Sequence, residues 1–168
     1  MSANYEVLGP VQIPYEINSN RSKFITKRLG LEQIQSEGYS ELRGCYIFCM
    51  TGSHGSIKPY YVGKSAKSFT AEAFTSDKVN KYNSVLHRVT HGKPVMMFVV
   101  PVVLQGKFNS RALTALEQYL IGLAYQCNSD IQNIQGIPRS TFEIIGIHRP
   151  KKGPKSQSLT AFTRAFKI

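Results

Sequence analysis

Glu117 is the residue whose position most directly suggests chemistry. The segment "RALTALEQYLIGLAYQC" predicts an amphipathic helix, and Glu117 falls between Ile121 and Ala124 within its apolar face. Because an unpaired buried carboxylate is costly, Glu117 requires a cation, a strong hydrogen-bond donor or a metal ion. A salt bridge at the margin of the core, with Arg111 or Arg88, is the alternative to a metal site. The apolar face comprises Leu113, Leu116, Leu120, Ile121, Leu123, Ala124 and Cys127.

Two tyrosines occupy short apolar segments that predict neighbouring strands. Tyr46 lies in "GCYIFCM" and Tyr61 in "KPYYVG", with the loop "TGSHGSIKP" between them. Both segments are β-prone and bounded by turn residues, which predicts an antiparallel pair. The tyrosines therefore either belong to a functional site or pack in an ordinary small sheet with hydroxyls that reach solvent.

The net charge of the chain indicates a polyanionic partner. Its 168 residues include 21 Lys and Arg against 10 Asp and Glu, a formal charge of +11. The excess is concentrated in the C-terminal part, where Lys151, Lys152 and Lys155 follow one another closely. We expect these lysines to contact phosphates, and the alternative is a solvated tail that keeps the protein soluble.

The remaining segments predict the elements that position these residues. Residues up to about 25 predict extended structure or loop, and a short helix follows over 29–37. "SFTAEAF" predicts another short helix, and a longer one begins with Ser76 as its N-cap and stops at Gly92. "PVMMFVVPVVL" predicts a buried strand, "TFEIIGIHR" a further strand, and residues 159–166 a final helix.

Length and composition predict one soluble domain in a reducing cytoplasm. The length favours a single domain with an adequate core, and the three cysteines lack the spacing of a zinc site. No export signal or apolar stretch of about 18 residues is apparent, so we expect no membrane association. We predict a single domain over 1–168 of the α/β (α+β) class, a small mainly antiparallel sheet flanked by helices.

The two tyrosine segments together resemble the paired signature of the GIY-YIG nuclease family. Gly44-Cys45-Tyr46 matches the first triplet and Tyr61-Val62-Gly63 the second, and Glu117 matches the family's later metal-binding glutamate. The family asparagine that follows is best matched by Asn133, with Asn128 as the second candidate. The similarity covers a core of about residues 43–135, between an N-terminal extension, 1–42, and a basic strand, loop and helix, 136–168.

The resemblance implies metal-dependent hydrolysis of phosphodiester bonds, in DNA rather than RNA. Glu117 would hold one Mg²⁺ or Mn²⁺, with Tyr46, Tyr61 and Asn133 as the other catalytic residues and no small-molecule cofactor. A tyrosine near its reference pKa of about 10 activates water only if cations lower that pKa, so the identity of the base stays open. Tyr82 and His87 are further proton-transfer candidates.

The chain departs from the family where an arginine normally contacts the scissile phosphate, because Glu72 takes that position when "SFTAEAF" is aligned on Phe69. A carboxylate there repels phosphate, so another cation must replace the arginine or catalysis is lost. We therefore predict a metal-dependent endonuclease or nuclease-related protein. The alternatives are a catalytically silent nucleic-acid-binding module of the same fold and a protein that binds an acidic protein partner. The candidate nucleic-acid-binding residues are Lys64, Lys67, Lys81, Arg88, Lys151, Lys152 and Lys155.

Overall fold

The computed structural model describes residues 4–102, 110–133 and 154. The chain divides into two compact units, Met1–Gly136 and Ile137–Ile168, and every helix and strand described below belongs to the first. The predicted strand "TFEIIGIHR", the final helix and the three lysines Lys151, Lys152 and Lys155 lie outside the described residues. The single-domain assignment stays a prediction.

A four-stranded antiparallel sheet forms the centre of the first unit, with strand order β1-β6-β4-β5. A separate two-stranded sheet pairs β2 with β3. The strands are β1 (Tyr5–Gln12), β2 (Glu16–Ile17), β3 (Lys23–Phe24), β4 (Gly44–Thr51), β5 (Ile57–Ser65) and β6 (Pro94–Pro101).

The described residues include four α-helices beside the sheet. The Thr26 and Ser68 hydroxyls cap the first two helices by accepting hydrogen bonds from backbone N–H groups of the first turn. The third helix has Thr75 as its N-cap and begins with Ser76, one residue from the predicted cap. The helices are α1 (Lys27–Ser36), α2 (Phe69–Glu72), α3 (Ser76–Arg88) and α4 (Ser110–Cys127).

The predicted class, a mainly antiparallel sheet with helices, is confirmed. The tyrosine segments form the antiparallel pair of β4 and β5, and the apolar segment before Pro101 is the buried strand β6. The N-terminal segment, for which the sequence predicts extended structure or loop, contains β1, which joins the sheet beside β6. The pairing register of β1 shifts between Leu8 and Val11, so its side chains do not alternate regularly between the two sheet faces. The sequence therefore lacks a clear strand pattern here.

The two faces of the sheet carry different helices. Tyr46 and Phe48 of β4 belong to the main core, together with Phe69 of α2 and Tyr82 of α3. The alternate residue Cys45 packs instead with Val99 and Leu113, the latter on α4. Because successive side chains of a strand point to opposite faces, α4 lies across the sheet from α2 and α3. No helix in the part of the chain that the structure describes is long and apolar enough to cross a membrane.

Candidate functional site at the edge of strand β5

Glycines allow the two tyrosine segments to pack closely. Tyr46 pairs with Gly63 across β4 and β5, and a Cβ added at Gly63 would lie 2.4 Å from Cζ of Tyr46. The Tyr46 ring therefore occupies the space above the edge strand that any other residue at position 63 would fill. Gly44 has φ of +151°, and an added Cβ would lie 2.2 Å from the Val99 carbonyl oxygen. Both motif glycines are thus sterically required.

Tyr46 is a buried, neutral hydroxyl donor. Its hydroxyl donates to the Glu72 backbone carbonyl over 3.4 Å, and the Tyr61 ring centroid lies 6.2 Å from its own. Burial raises the pKa of Tyr46 far above 10, and its interactions with Tyr61, Glu72 and Glu117 raise the pKa further. In this arrangement Tyr46 does not ionise near neutral pH.

Tyr61 lies beside two lysines of α3. The Lys78 and Lys81 ammonium nitrogens are 5.4 and 5.5 Å from the Tyr61 ring centroid, within range of cation–π attraction. Burial lowers the pKa of Lys78, but its interactions with Tyr61 and Asp77 together outweigh burial, so the net pKa is raised. Lys78 and Lys81 therefore place two cations beside Tyr61, which packs against Tyr46.

Glu117 is paired with Lys64. Its Oε2 lies 3.0 Å from the Lys64 Nζ, which also donates to the Thr114 hydroxyl over 3.0 Å. The Lys64 and Glu117 side chains are 36% and 19% exposed, so the pair lies at the margin of the core. Lys64 thus supplies a cation to Glu117 on this face of α4, in addition to the Arg111 and Arg88 candidates that the sequence suggests.

Lys64 and Gly63 make their contacts on opposite faces of the sheet. Lys64 pairs with Cys45 and so points to the α4 face, whereas its neighbour Gly63 lies beneath Tyr46. Burial raises the pKa of the Cys45 thiol to about 12, and the charge of Glu117 contributes to the shift. The charge of Glu117 also makes the smallest contribution to the raised pKa of Tyr46, on the other face.

Glu117 is the predicted metal ligand, and it lies in the part of the chain that the structure describes. Within residues 4–102 and 110–133, no group of three His, Cys, Asp or Glu side chains converges as a metal site. Mg²⁺ is commonly held by one or two carboxylates, with water and phosphate oxygens completing its shell. A partly exposed ion pair contributes about 0–1 kcal/mol, so Lys64 can release Glu117 at small cost. Glu117 therefore fits such an ion, which would neutralise phosphate charge when bound.

Asn133 and Asn128 hold the segment after α4 against β5. The Asn133 side chain accepts a hydrogen bond from Val62 N over 3.0 Å and donates to the Val62 carbonyl. Asn128 donates to the Pro59 carbonyl over 2.7 Å, and Gln132 N donates to the Tyr60 carbonyl over 2.6 Å. Asn133 thus contacts the second triplet, but its amide is engaged with backbone and positions the strand.

The remaining predicted residues surround this edge. Glu72 is exposed at the end of α2, and the hydrogen bond to its backbone carbonyl places position 72 beside Tyr46. Lys67 is exposed in the turn after β5. Arg88 is exposed at the end of α3, near enough to Tyr60 to oppose the increase in pKa that burial causes there. Tyr82 is fully buried and donates to the Ala73 carbonyl over 2.7 Å, which is a core role.

Lys78 was missed by reasoning from the sequence. It lies one helical turn before Lys81, on the side of α3 that faces Tyr61. The three-residue spacing of the two lysines placed them on one side of α3, but only the packing of α3 on the sheet identifies Tyr61 as their partner.

No protein-family model, curated protein or solved structure matches the chain. The resemblance to the GIY-YIG family therefore rests on the order of its own motif residues, and the family assignment stays a prediction. The chemistry that the chain can perform has to be inferred from the side chains gathered at the edge of β5.

Proposed function

We propose that the protein is a GIY-YIG-like, metal-dependent endonuclease or nuclease-related protein that acts on phosphodiester bonds in DNA. One observation carries this proposal: the Tyr46 and Tyr61 rings pack 6.2 Å apart, and the next residues along β5, Gly63 and Lys64, contact the Tyr46 ring on one sheet face and the Glu117 carboxylate on the other. Hydrolysis of a phosphodiester needs proton donors and a cation near one phosphate, and these side chains at β5 would supply them.

The chain's own residues suggest separate roles. Tyr46 is buried and donates its proton to the Glu72 carbonyl, so it would contact a phosphate oxygen only by giving up that hydrogen bond. Tyr61 lies beside Lys78 and Lys81, where cationic charge is available to an anion. Glu117 is the residue that would hold Mg²⁺ or Mn²⁺ once Lys64 withdraws.

The proposal is tested by incubating the protein with supercoiled plasmid and with single-stranded DNA, in Mg²⁺, in Mn²⁺ and in chelator. We expect metal-dependent nicking that Glu117→Gln abolishes while the far-ultraviolet circular dichroism stays unchanged. Glu32→Gln is the matched control, because it removes an equally acidic residue from an exposed ion pair on α1. Nicking that persists in Glu117→Gln, or that chelator leaves intact, would contradict the proposal.

A catalytically silent nucleic-acid-binding module is the second candidate, and one observation favours it specifically. The Lys64 ammonium group already forms an ion pair with the Glu117 carboxylate, and the exposed Glu72 adds negative charge beside Tyr46. Binding of DNA without cleavage under every metal condition, by a folded protein, would select this candidate. Retention of acidic proteins with no affinity for DNA would instead indicate an acidic protein partner.

A further inference from the structure

Two lysines and one aspartate form a compact charged cluster over Tyr61. The Asp77 Oδ2 lies 2.8 Å from the Lys81 Nζ and 3.3 Å from the Lys78 Nζ, so one carboxylate oxygen bridges both ammonium groups. Both ammonium groups also lie over the aromatic ring of Tyr61. The cluster carries a net positive charge, because two cations surround one anion.

The members of the cluster differ in how strongly they are held. The Lys78 and Lys81 side chains are 22% and 35% exposed, whereas the Asp77 side chain is 64% exposed. Both lysines are additionally held over the Tyr61 ring. Asp77 is therefore the member that solvent or a competing anion displaces most easily, since exposed ion pairs contribute little stability.

We propose that Lys78, Lys81 and the Tyr61 hydroxyl form a phosphate-binding site, in which a phosphodiester oxygen takes the position of the Asp77 carboxylate. This inference rests on the proposed function, namely that the protein binds DNA. A carboxylate oxygen and a phosphate oxygen are both anionic acceptors, and charge-assisted hydrogen bonds from ammonium groups suit either. Asp77 thus holds the two lysine side chains in positions from which they can bind a phosphate in its place.

The site accounts for the missing arginine. With Glu72 at the position of the family arginine, α2 offers no cationic donor to a phosphate there. Lys78 and Lys81 of α3 bring two ammonium groups to Tyr61 instead. The Tyr61 and Tyr46 rings pack with centroids 6.2 Å apart, so a phosphate at the lysines lies near Tyr46. The cluster would therefore position the backbone of DNA against the edge of β5.

The experiment measures binding of a fluorescent single-stranded oligonucleotide by anisotropy over a range of salt concentrations. We expect Lys78→Gln to weaken binding and to reduce the slope of log affinity against log salt by about one. Asp77→Asn should tighten binding, because it removes the competing anion while it keeps the side-chain shape. The opposite signs distinguish a phosphate site from damage to α3, which would weaken binding in both variants.

Matched controls complete this design. Lys27→Gln removes the same charge from an exposed position on α1, and Lys78→Arg should restore most of the lost affinity. A methylphosphonate version of the oligonucleotide, which lacks backbone charge, should bind Lys78→Gln and wild type equally. Wild-type binding that Lys78→Gln and Asp77→Asn leave unchanged would overturn the inference while leaving the proposed function intact.

A free phosphate and a DNA backbone share the chemistry of this site, so a second measurement separates them. Titration with inorganic phosphate, followed by ³¹P line broadening, should detect binding to wild type and its loss in Lys78→Gln. If wild type binds no DNA, the proposed function fails, and phosphate binding that depends on Lys78 still supports an anion site. If wild type binds neither DNA nor phosphate, the inference fails as well.

Discussion

The Tyr46 hydroxyl donates a hydrogen bond to the backbone carbonyl of Glu72, 3.4 Å away. This contact fixes the end of α2 beside the buried tyrosine, so the Glu72 side chain starts next to the proposed phosphate position and continues into solvent. Its negative charge also contributes to the raised pKa of Tyr46. Position 72 is therefore the point at which one substitution should change the electrostatics of the site most directly.

We predict that Glu72→Arg creates or strengthens plasmid nicking in Mg²⁺. The change replaces a charge that repels phosphate with a fork of donors that binds it. A gain of about 1.4 kcal/mol in transition-state stabilisation corresponds to about a tenfold faster rate. Glu72→Ala should give a smaller increase, because it removes repulsion without adding a donor. Slower nicking by Glu72→Arg than by an active wild type would show that α2 is misaligned with the family.

Substitution of Gly63 tests the contact between the two tyrosine strands. Gly63→Ala introduces a Cβ 2.4 Å from the Tyr46 ring, so we expect a loss of about 1–3 kcal/mol in the free energy of unfolding. Gly122→Ala is the matched control, since nothing lies within 4 Å of an added Cβ there and helical alanine is favoured by about 0.5–1 kcal/mol. Urea denaturation measures both, and equal stabilities of the two variants would contradict the described packing.

Lys64→Gln should increase the sensitivity of the protein to Mg²⁺. The substitution frees the Glu117 carboxylate from its ammonium partner at a stability cost of up to about 1 kcal/mol. We expect half-maximal nicking at a lower Mg²⁺ concentration, whereas Lys27→Gln keeps the wild-type dependence. An unchanged Mg²⁺ requirement, or nicking lost altogether, would show that Lys64 does not compete with the metal.

Affinity for DNA should fall steeply as ionic strength rises. Neutralisation of several phosphates releases counterions, and affinity then decreases by orders of magnitude between about 50 and 200 mM salt. Replacement of Lys151, Lys152 and Lys155 by glutamine should reduce the slope if these residues contact phosphate. A slope equal to that of wild type would assign the three lysines to solubility, and flat wild-type binding would exclude nucleic acid as the partner.

Alkaline pH should destabilise the folded protein in a way that depends on Tyr46. Unfolded tyrosines lose their proton near pH 10, whereas the folded pKa of Tyr46 is raised. Above about pH 10 the unfolded state therefore binds fewer protons than the folded state, and stability falls as pH rises. Tyr46→Phe should show a shallower decline in urea midpoint between about pH 9 and 11. Parallel declines for wild type and Tyr46→Phe would contradict the burial of this hydroxyl.

Local patterns in the sequence were sufficient to predict the main elements around the site. The β-prone segments of Tyr46 and Tyr61 became β4 and β5, and the amphipathic segment of Glu117 became α4, because burial of periodic apolar residues drives both kinds of element. The requirement that Glu117 have a cationic partner also followed from its place on the helix. The irregular strand β1 lacked such a periodic pattern, so only pairing with β6 revealed it.

The tertiary structure decided which charges meet. Lys64 and Gly63 are neighbours in sequence, yet strand alternation directs Lys64 to Glu117 and leaves Gly63 beneath Tyr46. Lys78 reaches Tyr61 only because α3 packs on the sheet face that carries Tyr61, and Asn133 is engaged because the chain after α4 returns to Val62. Such contacts join residues far apart in the chain, and their partners depend on packing geometry that no local pattern encodes.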